Sequence, residues 1–103
     1  MSKADDLRNE RDAKLDKAEH DYRSHQDAIA EEKENVKSQA QEKSARGENC
    51  DAEMERYNEL DRQEGANYEN YKSQREEIYA EYEGSIQEAE QQEEAEQDED
   101  YQM

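Results

Sequence analysis

The chain has 103 residues, 45% charged and 29% apolar, with 32 Asp and Glu against 14 Lys and Arg for a net charge of −18. So polar a chain makes at most one small domain and cannot fill a globular core; what remains is an elongated helical assembly with a thin apolar seam, or disorder. The absence of proline, with an abundance of Ala, Glu, Gln, Lys and Arg, favours helix.

Ser2-Lys3-Ala4-Asp5 has the form of a capping box, so a helix can start at once. Its apolar line runs Leu7, Leu15, Ala18, Tyr22, His25, Ile29, Val36, Ala40, with heptad-like steps from Leu15 onward and with His25 and Glu32 as polar residues at seam positions. Arg46-Gly47 reads as a helix C-terminus, a cation in the last turn followed by glycine at C′. Asn49 or Asp51 can cap a second helix. The second line runs Met54, Tyr57, Asp61, Glu64, Tyr68, Tyr71, Arg75, Ile78, Tyr82, Ile86, Ala89. Gly65 lies inside it, where a kink or short break is the expectation. Past residue 92 the apolar periodicity stops. The predicted organisation is thus a near-neutral first helix in 1–47, a strongly acidic second helix in 48–92, and an acidic frayed or disordered tail in 93–103. Two helices joined by a short turn are antiparallel neighbours, which gives an all-α fold: a long helical hairpin or coiled coil, with dimerisation into a bundle as a further way to bury its seams.

The two halves resemble each other at an offset of 49. Residues 9–40 and 58–89 share nine identities, among them Tyr22 with Tyr71, Ser24 with Ser73 and Ile29 with Ile78. The offset is seven heptads, so a duplicated helix keeps its seam register. The halves differ in charge: residues 1–47 carry a net −2 and residues 48–103 a net −16. No Lys or Arg follows Arg75.

Catalytic and metal chemistry find no foothold. His20 and His25 are five residues apart and diverge on a helix. No nucleophile–base set, glycine-rich phosphate loop or metal-ligand spacing occurs, so neither an enzyme nor a cofactor is expected. Cys50 is the sole cysteine and cannot close an internal disulfide. No apolar run approaches the ~20 residues of a membrane span. An intracellular, cytoplasmic protein is the expectation.

The carboxylates of the second helix are the informative feature. At 100° per residue, Glu76, Glu83, Glu90 and Glu94 fall within ~40° of one another, and Glu77, Glu81 and Glu88 form a second row ~120–160° away. Ile78, Tyr79, Tyr82, Ile86 and Ala89 form the apolar stripe between them on one side. Eight acids from Glu76 to Glu94 span ~27 Å, close to the one phosphate per ~3.4 Å of a DNA strand. An ordinary solvated helix mixes signs to gain i,i+4 pairs; this one does not. The expected partner is a basic, nucleic-acid-binding protein whose site these carboxylates would enter. A direct complex with nucleic acid or an anionic membrane is excluded by charge. The partner-binding residues singled out are Glu76, Glu77, Tyr79, Glu81, Glu83, Glu88, Glu90, Glu93 and Glu94, with Tyr79 as an anchor that stacks on arginine. In size and charge alone, the chain resembles the small acidic proteins by which phages block DNA-handling enzymes. Two other roles share the composition: a structural or assembly coiled coil, as scaffold or adaptor, and an acidic chaperone for a basic protein acting through the tail. A homodimer is compatible with each.

Overall fold

A computed structural model of the chain describes residues 2–102, with side chains as far as Glu96. Two helices account for the fold, α1 (Lys3–Ala45) and α2 (Asp51–Gln102), and there is no strand among the described residues. The chain is an all-α antiparallel helical hairpin.

The ends of the helices follow the local signals. Ser2 Oγ accepts the Asp5 N–H at 3.1 Å, and the Ser2 carbonyl accepts the Asp6 N–H, which makes Ser2 the N-cap of α1. At the other end Gly47 takes φ +73°. The Glu48 N–H returns to the Lys43 carbonyl at 2.8 Å and the Gly47 N–H to the Ser44 carbonyl at 3.0 Å. These are the two bonds of a Schellman motif, and they satisfy carbonyls that the helix end leaves open. Asn49 Oδ1 then accepts the Asp51 N–H at 2.8 Å, satisfying the first open donor of α2, while the Cys50 carbonyl accepts the Met54 N–H and stands at the N-cap. Gly65 does not break the second helix: α2 runs through it. One glycine costs about 1 kcal/mol relative to alanine, too little to interrupt a segment of good helix formers with no proline. Helical backbone also continues past residue 92 to Gln102. The side chains beyond Glu96, most of the predicted tail, lie outside the described residues.

The hairpin divides into two units, one within residues 1–19 and 72–103, the other His20–Tyr71. In the second unit, Ile29, Val36 and Leu60 form the buried cluster, with Tyr57 packed against it. Tyr22 stacks on Tyr71 with ring centroids 4.5 Å apart and meets Tyr68 edge-on at 6.2 Å. The seam differs from the predicted one in a consistent way. His25 and Glu32 are exposed, and Gln26 and Lys33 take the half-buried positions beside them. On α2, Glu53, Leu60 and Asn67 face inward, whereas Met54, Asp61 and Tyr68 are exposed. Tyr57, Glu64 and Tyr71 are common to both readings. A heptad seam has two lines, and the second can lie three or four residues after the first, so periodicity alone leaves that choice open.

The polar residues on this seam are paired. Asn67 Nδ2 donates to Gln26 Oε1 at 3.1 Å and to the Tyr22 carbonyl at 3.4 Å. The Lys33 ammonium pairs with Asp61 and Glu64 while lying 4.8 Å from the Tyr57 ring centroid. The hydrogen bond it donates to Asp61, then that to Glu64, holds its pKa well above the ordinary lysine value. Arg56 reaches Glu32 at 2.5 Å, and Lys43 pairs with Glu53 beside the turn. That contact lowers the Glu53 pKa and raises that of Lys43. In the first unit, Ala4, Ala18, Tyr82, Ile86 and Ala89 are buried.

Candidate functional site

The residues after Arg75 belong to the first unit, where α2 packs along the first turns of α1. Seven cations against eighteen acids give this unit a net charge of −11. Tyr82, Ile86 and Ala89 turn inward, as the predicted stripe requires.

Three of the predicted partner-binding carboxylates are engaged inside the unit. Glu81 Oε1 accepts from the Lys14 ammonium at 3.2 Å. That ammonium also lies 5.0 Å from the Tyr82 ring centroid, and its pKa is raised by Tyr82 first and Glu81 second. Glu90 pairs with Arg8, whose other guanidinium nitrogen reaches Asp5 at 2.8 Å. Glu93 is half-buried, and its Oε1 accepts the Ala4 N–H at 3.2 Å. Glu93 therefore faces α1 instead of a partner. Its carboxylate satisfies one of the open donors at the α1 N-terminus, where negative charge is favoured. Position 93 lies at ~−100° from Glu76, in line with the apolar stripe, so the helical wheel already separates it from both acidic rows.

Glu76, Glu77, Glu83, Glu88 and Glu94 are exposed. None of the five has a hydrogen-bond or ion-pair partner among the described residues. Tyr79 is 45% exposed and lines a shallow groove with Arg11, Glu83, Ile86, Gln87 and Glu90. Between the rows, on the arc opposite the apolar stripe, lie Ser73, Ala80, Gly84, Gln87, Gln91 and Ala95, all exposed. They fall on the ~100° arc between the rows. These side chains are short or neutral, so neither charge nor an aromatic ring stands between the two lines of carboxylates. Sequence reasoning missed this strip because it followed the apolar and acidic positions and left the small neutral ones unread.

The unpaired carboxylates thus number five over the ~27 Å from Glu76 to Glu94, about one per 5 Å. That is sparser than the eight that charge counting alone suggests. Arg8 and Lys14 of α1 account for two of the difference, and the N-terminal cap for the third. Among the described residues, no group of three or more His, Cys, Asp or Glu is placed to hold a metal ion. No helix among them is long and apolar enough to cross a membrane.

Fold and face together define an all-α antiparallel hairpin with one strongly acidic unit. Comparison with protein-family models, with curated proteins and with solved structures finds no match.

Proposed function

We propose that the chain is an acidic helical binding protein that occupies the nucleic-acid site of a basic protein and inhibits it by competition. The observation that carries this reading is the exposed face of α2 in the first unit. Five unpaired carboxylates stand there in two rows, with exposed Tyr79 beside one row and a neutral strip between them. A groove that binds phosphates through Lys and Arg would meet carboxylates of suitable charge and spread, and arginine would bind them bidentately. Association of this kind is steered by charge and weakens steeply with salt.

The test starts with an affinity pull-down at low salt and at about 0.5 M, where the Debye length is only a few ångströms. A partner released by salt is then mixed with its nucleic acid and increasing amounts of this protein. Displacement of the nucleic acid is the expected result. Changing Glu76, Glu77, Glu83, Glu88 and Glu94 together to Gln should abolish displacement. If the nucleic acid stays bound, or the Gln variant competes as well as the parent, the proposal is wrong.

A second reading, an assembly or scaffold coiled coil, draws on Met54, which is 56% exposed beside the second unit's apolar seam. Its complexes would survive the high-salt wash.

A further inference from the structure

The second unit holds a groove that its own two helices leave open. Val36, Lys37 and Ala40 of α1 and Glu53, Met54 and Tyr57 of α2 line a space of about 330 Å³. Two helices in contact cover only the sides that face each other, and the flank of the seam needs a further helix pair to close it. The buried cluster here is Ile29, Val36 and Leu60, which is little apolar volume for so long a pair of helices.

The edges of the groove differ in charge. At 100° per residue, Lys33 and Lys37 lie on the flank of α1 beside Val36; Lys33 is held by Asp61 and Glu64 of the same hairpin, so Lys37 is the cation this edge presents. The flank of α2 beside Met54 carries Asp51, Glu55 and Glu69 within ~40°, with Arg62 among them; Asp61, nearer the seam, is already paired with Lys33. Lys37 makes no ion pair among the described residues. A uniformly basic partner would match the α2 edge and oppose the α1 edge; a uniformly acidic one would do the reverse. A second copy, related by a two-fold, lays cationic edge on anionic edge twice over one apolar floor.

We propose that this groove docks a second copy of the chain, giving an isologous dimer in which two second units form a four-helix bundle. Each Met54 enters the other copy's groove, and each Lys37 meets the acidic edge of the other copy's α2 at Glu55.

Sedimentation equilibrium of the full chain at about 0.15 M salt, where charges still act over ~8 Å, tests this. The mass should rise with concentration from 12.2 kDa to twice that value. Met54→Glu should weaken dimerisation by more than about tenfold, because an unpaired carboxylate would enter the apolar floor. Lys37→Glu should weaken it by about tenfold, since the two-fold doubles each repulsion. Adding Glu55→Lys to Lys37→Glu should restore it. Both primary sites are exposed, and circular dichroism checks that helix content is kept. If Met54→Glu loses helix, Lys37→Glu and its rescue decide the matter. A monomer at every concentration, a trimer, or a dimer indifferent to Lys37→Glu overturns the proposal.

Discussion

Leu60 has no exposed surface, and no other residue as large is so fully buried among those described. Its neighbour Asp61 is exposed and ties down Lys33. Apolar periodicity puts Asp61 on the seam, because Tyr57 and Tyr68 draw the line through 61. The apolar content of position 60 was the better guide, since a buried carboxylate needs a partner and a buried leucine does not. Leu60→Ala should therefore destabilise the chain by about 2–5 kcal/mol, a large share of what so small a fold can possess. Gln63→Ala, at an exposed site one turn away, should stay within about 0.5 kcal/mol. Urea denaturation followed by circular dichroism compares the two. Equal effects would mean that Leu60 does not anchor the cluster. Glu93 carries a related lesson. Its type matched the acidic rows, but its angle placed it against α1, and in a helix the angle governs what a side chain meets.

At the scale of the elements, the ends were the most legible part. Ser2, Gly47 and Asn49 act through bonds to backbone within a few residues, so their roles can be read without knowing the fold. The length of α2 was not legible in the same way. Periodicity marks where a helix packs, while propensity lets it continue after packing ends, and the predicted stop at 92 followed the first signal alone. The three glycines now separate by conformation. Neither Gly65 nor Gly84 has a positive φ, and a Cβ added at either meets nothing within 4 Å, whereas Gly47 sits at φ +73°. Gly65→Ala and Gly84→Ala should each stabilise the chain by about 0.4–1 kcal/mol. Gly47→Ala should destabilise it by about 1–2 kcal/mol. The same denaturation series reads all three. A loss of stability in Gly65→Ala would show that the helix needs flexibility there.

For the molecule as a whole, the charge imbalance between the halves is partly an internal matter. Arg8 and Lys14 of the near-neutral helix hold Glu90 and Glu81 of the acidic one. The first helix is therefore both mechanical support and counter-charge. What the sequence could not show was which carboxylates are spent in this way, because that depends on the register between the helices. The stacked tyrosines bear on that register. Tyr22 and Tyr71 correspond by the 49-residue offset, and they face each other at 4.5 Å. In an antiparallel pair the partner's number falls as the residue number rises, so a residue can meet its own repeat-equivalent at one place only. Contact between equivalents marks a two-fold axis, the arrangement of a single helix that pairs antiparallel with a copy of itself. In these terms the turn at Gly47 is a tether that sets an effective concentration on the order of millimolar for short linkers. Fragments 1–47 and 48–103 should then be mostly unfolded alone and become helical together, in one-to-one proportion, as their concentrations approach that value. Ellipticity measured on mixing checks it: no gain over the sum of the parts would mean that the tether, and not the pairing, holds the hairpin.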